Sequence, residues 1–136
     1  MSVPDEVRIP ILSDTDIVAA RQKGRALAAA IGFSGTDLTV IATAISEVVR
    51  NIVEYTKGGE IILEQTNHAG RPGIVVIARD NGPGIPDVAQ AMQDGYSTSR
   101  GLGLGLPGAR RLMDEFEIES AVGKGTTITM KKWLTR

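Results

Sequence analysis

Glu47-Val-Val-Arg-Asn51 sets a carboxylate and an amide four residues apart inside a long helical pattern. Positions i and i+4 are neighbours on a helix surface, so Glu47 and Asn51 share a face. There the carboxylate suits a proton transfer and the amide oxygen suits a hard metal ion. A second cluster runs from Asp80-Asn-Gly-Pro-Gly84 to Gly101-Leu-Gly-Leu-Gly-Leu106. Its glycines permit tight turns and close backbone approach to a ligand. Gly101, Leu102, Gly103, Leu104 and Gly105 lead straight into a helical pattern with Pro107 in its first turn. Free N–H groups and the helix dipole at such a start favour an anion. Asp80, closing a strand pattern, can accept from an exocyclic amine, and Gly82 and Gly84 let a flat ring lie close. Ser97, Thr98 and Ser99 are types that donate to phosphate oxygens and Arg100 one that neutralises charge, or all four solvate a loop. Together the clusters describe a nucleoside triphosphate site with a helix wall, an acidic turn and a glycine-rich flap. Each has a plainer reading alone: solvated helix residues, an ordinary turn, a polar loop. His68, the only histidine, reads as an exposed turn residue with no phosphoryl-accepting role.

The flanking patterns predict the elements that hold these residues. Residues 7–12 predict a short strand, and Pro10 confines it to a sheet edge. Ser13 with Asp16 is a capping signal. Ile17, Ala20, Gly24, Leu27, Ala28 and Ile31 follow at helical spacing, and Gly32 is the stop. A second helix starts at 34–37. Its core stripe is Leu38, Ile41, Ile45, Val48, Ile52 and Tyr55. Ala44, Glu47, Asn51 and Glu54 lie on a rotated stripe, where the small Ala44 leaves space beside Glu47. After a break at 57–59, residues 60–66 and 74–79 predict a hairpin joined by the turn-rich 67–73. Residues 87–92 predict a short helix, and 94–100 a polar loop of functional length. Ala109, Leu112, Met113 and Phe116 form the apolar face of the last helix, with Arg110 and Arg111 solvated. Residues 117–122 and 126–133 predict strands around a tight turn at 123–125, where Thr126 either hydrogen-bonds a base or simply favours the strand. Trp133 reads as a core or edge-packing residue. The order of elements predicts an α+β two-layer sandwich: one mixed, mostly antiparallel sheet with helices on one face. It excludes a dinucleotide-binding βαβ unit, because the glycines do not follow a first strand.

The chain's 136 residues suit one domain, 1–136, with a real core. A net charge of −1, from 15 basic and 16 acidic residues, gives no reason to expect nucleic acid or an anionic membrane as partner. The chain contains no cysteine, which excludes disulfides and thiolate metal sites. No apolar run reaches the ~18 residues of a membrane span, and residues 1–5 lack a signal peptide's apolar core. A cytoplasmic location is the expectation.

Glu47-x-x-x-Asn51, Asp80-x-Gly82-x-Gly84, Gly101-Leu-Gly-Leu-Gly-Leu106 and Gly125-Thr126, in this order and spacing, resemble the boxes of the GHKL ATPase superfamily. That superfamily includes histidine-kinase catalytic domains, Hsp90, MutL and type II topoisomerases, which share the Bergerat ATP-binding fold. The likeness covers nearly the whole chain. It is nearest to the small bacterial serine/threonine kinases of sigma-factor partner switching, in Asp16-Ile-Val-Ala-Ala-Arg21, Asp94-Gly-Tyr-Ser-Thr98 and Arg111-Leu-Met-Asp-Glu-Phe116. The resemblance implies ATP and Mg²⁺ as ligands. It implies that Asn51 binds Mg²⁺, that Asp80 receives the adenine amino group with Gly82, Gly84 and Thr126 around the base, and that the flap through Gly105 closes over the phosphates. It implies that Glu47 polarises the attacking hydroxyl of a protein serine or threonine. An arginine of the family falls near Arg100, about one residue out of register. The partners implied are STAS-domain scaffold and antagonist proteins of the stressosome as substrates, and a PP2C-type phosphatase to be activated. The alternative within the same boxes is an anti-sigma factor that sequesters a sigma factor. A histidine-kinase fragment fits less well, for want of a helical dimerisation segment carrying a phosphorylatable histidine.

Overall fold

The computed structural model describes residues 6–82 and 105–135. The first strand, β1 (Glu6–Ile11), passes directly into α1 (Asp14–Ile31). The Asp16 carboxylate makes that corner by accepting the N–H groups of Leu12 at 2.8 Å and Ser13 at 3.1 Å. Gly32, at φ 128°, ends the helix, and its N–H returns to the Ala28 carbonyl. The left-handed region costs glycine nothing, which is why the chain stops there. α2 (Thr36–Tyr55) packs against α1. The approach depends on Gly24, where a Cβ would lie 2.2 Å from Ile45 Cδ1.

The strands β2 (Gly59–His68), β3 (Arg71–Asp80), β4 (Glu115–Ala121) and β5 (Gly125–Trp133) join β1 in one sheet of order β1-β2-β3-β5-β4. A short helix, α3 (Gly105–Leu112), precedes β4 and lies against α2. Every described pairing is antiparallel, so the mixed sheet expected from sequence is wholly antiparallel here. β1 occupies an edge, as Pro10 requires.

One face of the sheet carries Ile9, Ile11, Ile61, Leu63, Ile74, Val76, Ala78, Ile128 and Met130 into the core. The helices meet them with Leu27, Ile41, Ile45, Val48 and Ile52. On the opposite face Ile62 and Val75 are also buried, beside ion pairs that run from Glu6 through Arg8 and Glu60 to Arg79. The Glu6 carboxylate, by hydrogen bond first and charge second, pushes the Arg8 guanidinium further up. Among the described residues no helix is long and apolar enough to cross a membrane.

Several expectations change. The β2–β3 turn is only Ala69 and Gly70, at φ 55° and 81°, and His68 lies in β2 opposite Arg71. Two successive left-handed residues match the twist of a hairpin, and the Asn67 side chain accepts the Gly70 N–H at 3.2 Å. Phe116 belongs to β4, not to the preceding helix, and pairs with Met130. The chain is captured by β5 before a further turn can form: the Asp114 N–H donates to the Lys131 carbonyl, and the Asp114 side chain accepts the Trp133 N–H. Tyr55 is 38% exposed, because the last turn of α2 runs past the core. Ala44 is fully buried, on the same side as the core. α2 is covered by α1, by α3 and by the sheet, so its buried surface is wider than one stripe. The helix expected at 87–92 lies outside the described residues, as do Gly84, Ser97, Thr98, Ser99, Arg100, Gly101, Leu102, Gly103 and Leu104.

Candidate functional site

Val48, Val49 and Ile52 are buried and fix the rotation of α2. Ser46, also buried, is satisfied by donating to the Ala42 carbonyl at 2.9 Å. With those positions turned inward, Glu47, Arg50 and Asn51 are left half-buried along one side. The Asn51 Nδ2 donates to the Glu47 carbonyl at 3.1 Å. That orientation leaves Oδ1, the only atom of the amide that can ligate a cation, as the group to offer. Arg50 Nη1 donates to Glu47 Oε1 at 3.0 Å.

The second wall is the end of the sheet. Asp80 closes β3 between Gly59 of β2 and Thr126 of β5. Its Oδ1 accepts the Gly82 N–H at 2.8 Å, which tightens the turn and leaves Oδ2 as a second acceptor. Space here is set by missing side chains. A Cβ at Gly82 would lie 2.7 Å from Thr56 Cγ2, and one at Gly125 would lie 2.1 Å from the Asp80 carbonyl oxygen. Gly125 also has φ 83°, so the turn before β5 requires glycine twice over. Thr126 is buried, and its hydroxyl meets that of Ser120 at 2.8 Å.

Thr56 connects the walls. It caps α2 by donating to the Ile52 carbonyl at 2.7 Å and receives the Gly58 N–H at 3.0 Å. Glu47 to Thr56 is nine residues of helix, about 14 Å at 1.5 Å per residue. That is the scale of an extended nucleoside triphosphate. The fold brings Asp80, Gly82 and Thr126 to one end of the sheet beside Thr56, at the end of the helix that carries Glu47 and Asn51, and Gly105 opens α3. Sequence reasoning missed Thr56 and Ser120. Thr56 carried a signal as a β-branched hydroxyl just past a helix end, whereas Ser120 is found only through its register with Thr126.

The donor set fits a hard cation held mainly by a ligand's phosphates. Among the described residues no three His, Cys, Asp or Glu side chains converge on one point. One amide oxygen suits Mg²⁺, which keeps several waters and few protein ligands.

Comparison with known proteins agrees with this geometry. The family model described as "Histidine kinase-like ATPase domain" matches residues 12–132. The chain is 52% identical over 130 residues to the serine/threonine-protein kinase RsbT of Bacillus subtilis (strain 168), covering 96% of this chain and 98% of that one. It is 37% identical over 107 residues to the anti-sigma F factor of Priestia megaterium, covering 73% and 71%. Among solved structures, the SiaB–SiaC complex from Pseudomonas aeruginosa contains a chain that matches with a TM-score of 0.57 at 13% identity, covering 95% of this chain and 89% of that one. That last likeness is one of fold. The chain belongs to the histidine kinase-like ATPase family, the GHKL group, and is homologous within it to the RsbT-type serine/threonine kinases. The antiparallel sheet with helices on one face is the Bergerat architecture of that group. ATP and Mg²⁺ follow as its ligands at the level of the family.

Proposed function

We propose that this protein, as one domain over 1–136, is a cytoplasmic, ATP-dependent serine/threonine kinase of a partner-switching system. Its substrates are STAS-domain scaffold and antagonist proteins of a stressosome. Once released from the scaffold it activates a PP2C-type phosphatase. The observation that carries this reading is the face of α2, with Glu47 one turn from Asn51, in a chain 52% identical to a serine/threonine kinase over nearly its full length.

The roles follow from the atoms on offer. Asn51 Oδ1 holds the metal. Asp80 accepts from the adenine amino group, and Gly82, Gly84 and Thr126 surround the base. Ser97, Thr98, Arg100 and the run from Gly101 through Leu102, Gly103 and Leu104 to Gly105 cover the phosphates, with Arg100 neutralising charge. Glu47 takes the proton of the attacking hydroxyl. When bound, Mg·ATP supplies the transferable phosphoryl group, with its charge partly neutralised by the metal. Positioning and neutralisation are most of what such a transfer requires, so one carboxylate and one amide on a rigid helix are a sufficient set from α2.

A second reading has the 37% identity to an anti-sigma F factor in its favour: a protein that sequesters a sigma factor and phosphorylates the antagonist of that complex. One experiment separates the two. The protein is mixed with Mg·ATP, a STAS scaffold and a sigma factor from its own genome, and phosphate transfer and complex size are followed together. Transfer to the scaffold without a sigma complex supports the switch kinase. A stable sigma complex replaces that role with the second one and leaves the nucleotide site as described.

A further inference from the structure

Arg50 has no part in the roles above, yet it is ion-paired with Glu47. Its Nη1 donates to Glu47 Oε1 at 3.0 Å across one helical turn. The two side chains are 37% and 29% exposed, so the pair is neither buried nor fully solvated. Isolated pairs of this kind add little to helix stability. α2 does not depend on it either, since eight other residues of the helix are buried. The chemical consequence is larger. A glutamate on a helix surface has three side-chain torsions to lose, and a general base must be within hydrogen-bond reach of the proton it takes. The ion pair removes that freedom in advance. It engages Oε1 and leaves Oε2 as the acceptor, while the Asn51 amide next to Arg50 is anchored separately on the Glu47 carbonyl.

We propose that Arg50 is a positioning residue for phosphoryl transfer: it fixes the Glu47 carboxylate so that Oε2 faces the incoming serine or threonine hydroxyl. The inference rests on Glu47 being the base. Because the contact uses one N–H and not the paired donors of the guanidinium fork, a lysine at this position satisfies it too. Arg50 acts through Glu47 and not on the nucleotide, so its removal lowers kcat without weakening Mg·ATP.

The test is a double-mutant cycle in single-turnover transfer from ATP to the STAS-domain substrate. Calorimetric Mg·ATP affinity and the thermal midpoint are measured on each variant. Arg50→Gln is expected to lower the transfer rate about ten- to a hundredfold, the scale of a misplaced catalytic group. Its Mg·ATP affinity should stay within about twofold, and Arg50→Lys should recover most of the rate. In a Glu47→Gln background the Arg50→Gln change should have no further effect, since the group it positions is gone. An undiminished effect in that background overturns the proposal, as does a matching loss of Mg·ATP affinity, because either means that Arg50 touches the phosphates. An unchanged or faster rate in Arg50→Gln also overturns it, showing the pair to be ornamental or a brake. If Glu47→Gln alone transfers at the full rate, the fault lies with the base assignment. If Glu47→Gln is slow and Arg50→Gln is not, the fault lies with Arg50.

Discussion

The two ends of the sheet use the same residue type to opposite effect. At one end Gly73 makes room for the chain's own indole: a Cβ there would meet Trp133 Cε3 at 2.6 Å. That ring is tilted against His68 at 5.9 Å, and its Nε1 donates to Glu115 at 2.8 Å. The Leu134 N–H returns to the Pro72 carbonyl at 2.9 Å. The space is used up by the protein, and the polar groups answer one another. At the other end, Gly59, Gly82 and Gly125 let backbone and short side chains close around Asp80. There the carboxylate spends one oxygen on the Gly82 N–H and keeps another in hand. Glycine at the first end serves packing of the chain on itself, and at the second it serves the acceptor that the proposed function gives to the adenine.

If that contrast is right, substitutions should separate by end. The largest effect is expected for Gly125→Ala. The methyl would sit 2.1 Å from the Asp80 carbonyl oxygen on a backbone at φ 83°. Strain and overpacking together should cost about 2–5 kcal/mol in urea unfolding. Gly123→Ala is the control, because its φ is 80° with nothing within 4 Å, and it should lose clearly less. Equal losses would remove the close approach from the account.

Next is Asp80→Asn. The substituted amide can keep the bond to Gly82 and replaces the spare acceptor by a donor. Mg·ATP affinity should fall about 10- to 100-fold, the scale of a lost charge-assisted hydrogen bond, with little change in the unfolding midpoint. An unchanged affinity by calorimetry would mean that the reserved oxygen does not meet the base. The smallest effect is expected at the closed end. Trp133→Phe should cost about 1 kcal/mol or less through the lost Glu115 contact and leave nucleotide affinity alone. A change in affinity there would show that the two ends are coupled.

The same contrast explains what was legible in the sequence. The site end is written in local signals: a carboxylate and an amide at helical spacing, and glycines at a strand end. Their order along the chain was enough to indicate the family and the α+β sandwich. Pro10 and Gly32 were equally plain, because each acts through its own backbone. The closed end depends on partners far apart in sequence. Residues 67–73 looked like a loop because they are polar and contain Gly70, Pro72 and Gly73. All but Ala69 and Gly70 are strand, because Arg71 faces His68 and Gly73 faces Trp133. Phe116 continued the helical spacing of Leu112 and Met113 until pairing with Met130 outweighed it. Ser120 needed the register of β4 on β5. Arg50 stood in the Glu47–Asn51 motif from the start, but only the 3.0 Å contact gives it a task.

The most direct measurement compares Glu47→Ala and Asn51→Ala with the unmodified protein in two assays: Mg·ATP binding by calorimetry and radiolabel transfer from ATP to a purified STAS-domain substrate. Both residues are half-buried and outside the core of α2, so both variants should fold. The account predicts that Glu47→Ala keeps its Mg·ATP affinity and loses transfer by about 10²–10⁴-fold, the usual worth of a general base. It predicts that Asn51→Ala loses the Mg²⁺-dependent part of binding and transfer with it. Transfer at the full rate by Glu47→Ala, or unchanged Mg·ATP binding by Asn51→Ala, would contradict the assignment of phosphoryl transfer to this face of α2.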